Sequence, residues 1–282
     1  ELLTRELQPW EIAPSIDKLI QHSHVRHIQD RATHINLESR QVTISSGDIL
    51  EYDYLVLAVG SQSSLPKGPD ATNLTYQFRN LVNAEQLNHC LRELEIHKST
   101  PIQVAIVGAG SSGVELACKV ADRLCNLGSV YLLDRGDGIL RTLPRAAQNR
   151  AYQAISLRHI TLILKAEIYD ISPQGLKFSK KGVEQHLFAD IIVWAAGHQA
   201  HSWLSALPVQ LNERNQIMTK KTLQIPNFPE VFAIGDLASV PTKDGKPLPV
   251  TAQVAYQQAS CAAQNLYSLI QRRSLKQFRY LH

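Results

Sequence analysis

Three glycines, Gly108, Gly110 and Gly113, follow an apolar run in VAIVGAGSSGVELA (104–117). Between a strand and a helix, that spacing suits the pyrophosphate of a dinucleotide. The first glycine permits a tight turn, the second lets the backbone approach the phosphates, and the third lets the helix pack close to the strand. The phosphates would sit on the helix N-terminus, where unpaired N–H groups and the dipole favour negative charge. Without a ligand, the same glycines make a plain β–α turn. Asp134 closes the run VYLLD, twenty-one residues beyond Gly113. A carboxylate there accepts hydrogen bonds from the adenosine ribose and repels a 2′-phosphate, which favours NADH; the adjacent Arg135 keeps NADPH open. Glu115 lies just inside the helix. It is either a charge favoured by the helix N-terminus or a proton-handling group beside a bound nicotinamide or quinone.

Two further stretches carry chemistry. VFAIGD (231–236) is a short apolar run ending in Gly235 and an exposed acid, Asp236. The acid could bond a ribityl or ribose hydroxyl, or simply cap a turn. TAQVAYQQAS (251–260) sets Ala252, Ala255 and Ala259 on one narrow helical stripe, with Gln253 and Gln257 four residues apart on one face. Neutral amides suit hydrogen bonding to carbonyl oxygens, and such a helix start could stabilise charge on a reduced flavin. A small-residue helix packed on a sheet has the same pattern.

The surrounding elements must place these groups. Strand-like runs VRHIQDR, ATHINL, QVTIS and ILEYDYLVLAV fill 25–59, with a turn signal at Ser46-Gly47-Asp48. A helix is expected over 83–97. A βαβ unit follows, with strands over 102–107 and 130–134 around a helix over 111–126. Pro144 suits the first turn of a helix reaching about residue 159. TLILKAEI, GLKFS and the buried ADIIVWAAG read as strands, a hairpin-like turn falls at 243–246, and a last helix runs over 251–272.

Bulk composition narrows the class. The 282 residues are 44% hydrophobic and 19% charged, which argues against disorder. The net charge of +4 is spread out, and the doublets Lys180-Lys181 and Arg272-Arg273 are too short for a nucleic-acid track. Cys90, Cys118, Cys125 and Cys261 form no metal-ligand spacing and are expected as buried, reduced thiols. No apolar run is long enough for a membrane-spanning helix.

In order, LVLAVGSQ, VAIVGAGSSGVELA, IIVWAAG, VFAIGD and TAQVAYQQ resemble the type II NADH:quinone oxidoreductases, and WEIAPSIDKLI and EYDYLVLAVGS are most similar to the branch of oxygenic phototrophs. The resemblance implies an α/β protein with two Rossmann-like dinucleotide-binding domains, the NAD(P)H domain inserted in an FAD domain. On that plan 1–100 is the first part of the FAD domain, 101–218 binds NAD(P)H, and 219–282 completes the FAD domain. The late position of Gly108 follows, since it would open the second nucleotide site. The first FAD βαβ unit and the C-terminal membrane-binding region of the family pattern are expected to lie outside this chain.

The resemblance also implies roles. FAD and NADH are the cofactors, with NADPH open, and no metal is involved. Gly235 and Asp236 fall on the flavin side, with Asp236 holding the ribityl chain. Ala252 and Gln253 lie beside the flavin ring, and Gln253 and Gln257 line a quinone pocket. Gly197 approaches the nicotinamide, and Glu115 is a candidate for proton delivery. Electrons pass from NAD(P)H through flavin to a prenylquinone or naphthoquinone, at the cytoplasmic face of a thylakoid or plasma membrane. A homodimeric state stays open. The alternatives are a soluble flavoprotein reductase with a protein acceptor, or a non-catalytic nucleotide-binding protein on the same scaffold.

Overall fold

The structure is a computed structural model that describes residues 2–64, 66, 71–242, 245 and 247–281. The chain forms two compact units, one of Glu1–Val25 with Ser63–Gly197 and one of Arg26–Gln62 with His198–His282.

The first unit is built on five parallel strands: β1 (Tyr76–Gln77), β2 (Ile102–Val107), β3 (Gly128–Asp134), β4 (Thr161–Leu164) and β5 (Ile191–Trp194). Their spatial order is β1-β5-β2-β3-β4. The central strand is apolar on both faces, as a covered parallel sheet requires. Val104 and Ile106 pack on one side with helices α1 (Leu81–His97), α2 (Ser111–Leu124) and α3 (Arg145–Leu157). Ala105 and Val107 point the other way, into a core shared with the antiparallel meander Ala166–Ser172, Gly175–Lys180 and Val183–Phe188. Asn80 caps α1 by accepting from the N–H of Asn83 at 2.8 Å.

A buried cation ties α1 to α2. Arg123 Nε and Nη2 donate to Glu95 at 2.7 and 3.1 Å, and Nη1 donates to Asn88 Oδ1 at 2.7 Å. Arg123→Leu leaves the Glu95 carboxylate and the Asn88 carbonyl without this donor. A loss of about 2–3 kcal/mol is expected, read as a lower Tm in calorimetry.

In the second unit, Ala32–Asn36, Gln41–Ile44 and Ile49–Glu51 form an antiparallel meander. Leu55–Leu57 pairs in parallel with β6 (Phe228–Ala233), which pairs antiparallel with Gln224–Ile225. Helix α4 (Ala252–Ile270) follows, its N-terminus capped by the Thr251 side chain, which accepts from Val254 N–H at 3.4 Å.

Several sequence expectations need correction. Residues 25–31 form no strand: Val25 and Ile28 sit three apart and exposed, so no alternating face exists to bury. TLILKAEI is two strands of different sheets, broken at Lys165 with φ +56°. Val183–Phe188 is a strand the sequence did not announce, because nearly all of it is exposed. The cysteines are not uniformly buried. Cys125 ends α2 in a left-handed conformation (φ +47°) and is exposed, Cys90 and Cys118 are half-buried, and only Cys261 is buried. Burial pushes the Cys261 and Cys118 thiols up. Of the turn expected at 243–246, only Gly245 falls within the described residues.

The unit boundaries also differ from the sequence divisions at 100 and 218. Leu87 and Leu91 of α1 share a core with Val104 and Ile106 of β2. Ala200, Leu204, Leu207 and Ile217 share theirs with Leu57 and Ala233. Core membership follows these apolar contacts, which no local sequence signal marks.

Candidate functional site

The three glycines of the first unit each meet a different constraint. Gly108 leaves β2 with φ +111° and donates its N–H to Leu133 O at 2.7 Å. A Cβ there would stand 2.8 Å from the backbone N and Cα of Ala196. Gly113 lies where a Cβ would come within 1.8 Å of Gly108 O, so helix and turn touch backbone to backbone. Gly110 is different: it is the N-cap of α2 in extended geometry, and a Cβ would meet nothing within 4 Å. Two glycines are therefore demanded by packing, and the third keeps a helix N-terminus open to an approaching group. That is the fit an anionic pyrophosphate requires.

Asp134 ends β3 beside this turn. Its Oδ2 accepts from Ala109 N–H and its Oδ1 from Gly136 N–H, both at 2.7 Å. The carboxylate thus fixes the middle residue of the glycine turn, and it retains acceptor lone pairs for a ribose hydroxyl. Gly197 (φ +74°) follows Ala196 and is brought beside the turn through the Gly108–Ala196 contact. Its lack of a side chain also admits Ser64, whose Oγ would lie 2.0 Å from an added Cβ. Glu115 is the fifth residue of α2 and exposed. It sits past the first turn, where the helix dipole has largely faded.

A cleft of about 780 Å³ opens elsewhere in this unit, lined by Tyr76, Asn83, His89, Cys90 and Asp190 among others. It lies where β1 and β5 begin, and the glycine turn lies where β2 ends. Open parallel sheets bind ligands at the carboxyl ends of their strands, so the glycine turn is the stronger candidate.

In the second unit, Gly235 turns the chain out of β6 with φ +75°. Its N–H donates to Gln258 Oε1 at 2.6 Å, and Ala255 of α4 packs against it. Asp236 is half-buried rather than exposed, the correction being that Ser61 Oγ donates to its Oδ2 at 2.8 Å. Gln216 Nε2 donates to the Asp236 carbonyl at 2.8 Å. Ala252 and Gln253 are exposed at the start of α4. The two glutamines face the chain's last described residues. Gln253 Oε1 accepts from Tyr280 OH at 3.4 Å, and Gln257 brackets Leu281, donating to its O at 2.8 Å and accepting from its N–H at 3.0 Å.

Sequence reasoning missed Gln258, Ser61, Asn265 and Arg141. Gln258 and Asn265 are 1% and 0% exposed, and buried amides with backbone partners carry no periodic signal. Arg141, with Nη2 4.0 Å from Asp134 Oδ1, could have been found as a second cation close after the acid.

Comparison with known proteins identifies the family of the chain. The family model for pyridine nucleotide-disulphide oxidoreductases matches residues 2–259. The alternative NAD(P)H-ubiquinone oxidoreductase C1 of Arabidopsis thaliana is 32% identical over 99% of this chain and 60% of its own length. Demethylphylloquinone reductase NdbB of Synechocystis sp. is also 32% identical, over 99% of this chain and 70% of its own. Among solved structures, a ferredoxin reductase from Rhodopseudomonas palustris superposes with a TM-score of 0.81 at 22% identity, covering 98% of this chain and 66% of that one. The chain thus spans three-fifths to seven-tenths of the length of these proteins. It belongs to the pyridine nucleotide-disulphide oxidoreductase family and, within it, to the type II NAD(P)H:quinone oxidoreductases.

Proposed function

We propose that this chain is part of an FAD-dependent oxidoreductase that passes electrons from NAD(P)H through flavin to a membrane quinone of prenylquinone or naphthoquinone type. The observation that carries the reading is Gly110. It is the one fingerprint glycine whose missing side chain leaves open space, at a helix N-terminus anchored by Asp134. Two relatives of the chain, each 32% identical, are by name an NAD(P)H-ubiquinone oxidoreductase and a demethylphylloquinone reductase, which supports a quinone acceptor.

On this reading Gly108, Gly110 and Gly113 shape the pyrophosphate seat, Asp134 accepts from the adenosine ribose, and Gly197 leaves room near the nicotinamide. Gly235 and Asp236 are the flavin-side turn, with Ala252 at the start of the adjoining helix. Flavin, when bound, supplies the two-electron chemistry between nicotinamide and quinone. Gln253 donates its amide to a quinone carbonyl and Gln257 flanks it. Glu115, open to solvent, is the proton donor assigned to the nicotinamide side. The hydride of NADH and one proton from solvent together balance reduction of a quinone to a quinol. Among the described residues no helix is long and apolar enough to cross a membrane. A lipid-soluble acceptor then calls for peripheral contact at the cytoplasmic face of a thylakoid or plasma membrane, and the homodimer belongs to the same proposal.

The test is an acceptor comparison. FAD-supplemented protein is given NADH with either a short-chain naphthoquinone or a ferredoxin-type protein. Faster turnover with the quinone is expected. Turnover with the protein acceptor alone would replace this reading by the soluble-reductase one.

A further inference from the structure

Gln258 holds a buried donor that has nothing to donate to. The residue is 1% exposed, on the side of α4 that meets the Gly235 turn. Its Oε1 accepts from Gly235 N–H at 2.6 Å. Only an oxygen can accept there, so the orientation of the amide is fixed. Nε2 then points away from Gly235, and among the described residues it meets no acceptor. Buried amide donors are as a rule paired, because an unmade hydrogen bond away from water costs stability. The nearest amide cannot help, since Gln216 Nε2 is itself a donor and is engaged with the Asp236 carbonyl at 2.8 Å.

Gln258 lines a recess of about 10 Å³ together with Gly235, Asp236, Gln216 and Thr251. That is room for about one water-sized group. Asp236 brings the complementary chemistry. Its Oδ2 accepts from Ser61 Oγ at 2.8 Å, and its Oδ1 has no donor among the described residues. A free donor and a free acceptor on one small recess suit a hydroxyl, which accepts and donates at once. A phosphate group is too large for the recess, and the carboxylate repels it.

We propose that Gln258 is a flavin-binding residue, donating from Nε2 to a ribityl hydroxyl of FAD. The inference rests on the flavin reading of the Gly235 turn, in which Asp236 holds the ribityl chain and Gln258 has no part. One amide then links fold and cofactor: its oxygen holds the turn that presents Asp236, and its nitrogen holds the chain that Asp236 receives. Gln253 and Gln257, on the other face of the helix, are engaged with Tyr280 and Leu281 and do not reach this recess. A bridging water offers the same chemistry as a hydroxyl, and the test separates the two.

The test uses the oxidoreductase of which this chain is part, freed of flavin and titrated with FAD and with FAD analogues that each lack one ribityl hydroxyl, followed by flavin fluorescence. Gln258→Glu keeps an oxygen for Gly235 N–H and removes the donor; Gln258→Met removes both and keeps the volume. Melting of the flavin-free proteins reports which variants fold. Each folded variant is expected to bind FAD about tenfold more weakly, the loss of one hydrogen bond. One analogue is expected to lose a similar factor on the unaltered protein and less than about threefold more on the variant, because the two changes delete the same bond. FAD affinity within about threefold of the unaltered protein would show that Nε2 serves a water and overturn the inference. Losses that multiply for every analogue would also overturn it, since Gln258 would then act only through the Gly235 turn. Failure of the unaltered protein to bind FAD would overturn the flavin reading itself.

Discussion

Gly113→Ala is expected to lose about 3 kcal/mol of stability and most nucleotide affinity, whereas Gly110→Ala loses affinity and little stability. The contrast follows from what each new methyl meets. At 113 it falls 1.8 Å from Gly108 O, a backbone atom that cannot swing aside, so α2 must move off the sheet. Val114, Ala117 and Val120 on the same helix are buried in the core, and that shift would open space beneath them. At 110 the methyl enters empty space, and the extended backbone there suits any residue. The helix keeps its geometry and loses only the modest advantage of glycine at an N-cap, under about 1 kcal/mol. The methyl nevertheless occupies the approach to the free N–H groups of the helix. Thermal melts and NADH titrations of the two variants separate the effects. Full NADH affinity in Gly110→Ala would mean that no ligand uses this N-terminus.

Asn265→Leu is expected to cost about 3–4 kcal/mol and to release the end of the chain. The amide is completely buried and makes three backbone bonds: Nδ2 donates to Thr222 O at 2.9 Å and to Lys276 O at 3.0 Å, and Oδ1 accepts from Lys276 N–H at 2.8 Å. Leucine of similar volume fills the space but leaves those groups unpaired away from water. Phe278, held by its N–H to Lys221 O at 2.7 Å, then loses the tether that keeps its ring in the core beside Leu223 and Phe232. Gln257→Leu removes a similar bracket at Leu281, but there water can replace the bonds, so a loss under about 1 kcal/mol is expected. Limited proteolysis should therefore cut Asn265→Leu within 274–281 much faster than Gln257→Leu. Equal cleavage of the two would contradict the claim that burial makes Asn265 the main clamp.

The glycine turn was legible because its requirements are local. A strand buried on both faces, two glycines without room for a side chain and an acid at the next strand end all leave marks within one βαβ unit. The last helix was legible for the same reason, its small-residue stripe of Ala252, Ala255 and Ala259 and its glutamines four apart recurring at helical spacing. What the sequence did not give away depends on distant partners. Gln257 reads as a free amide until Leu281 lies against it, and Asp236 reads as exposed until Ser61 reaches it. The exposed strand Val183–Phe188 has no buried face to write into its sequence. The unit boundaries follow which helix shares a core with which strand, and neighbouring residues cannot report that.

The central claim is that electrons from NAD(P)H reach flavin on this protein. The direct measurement is to incubate the oxidoreductase of which this chain is part with FAD, remove free flavin by gel filtration, and add NADH without oxygen while recording the flavin band near ~450 nm. The protein peak is expected to retain the band, the band to bleach, and Gly110→Ala to retain flavin without bleaching at the same NADH concentration. A protein peak without flavin, or a retained band that NADH leaves unchanged, would contradict it.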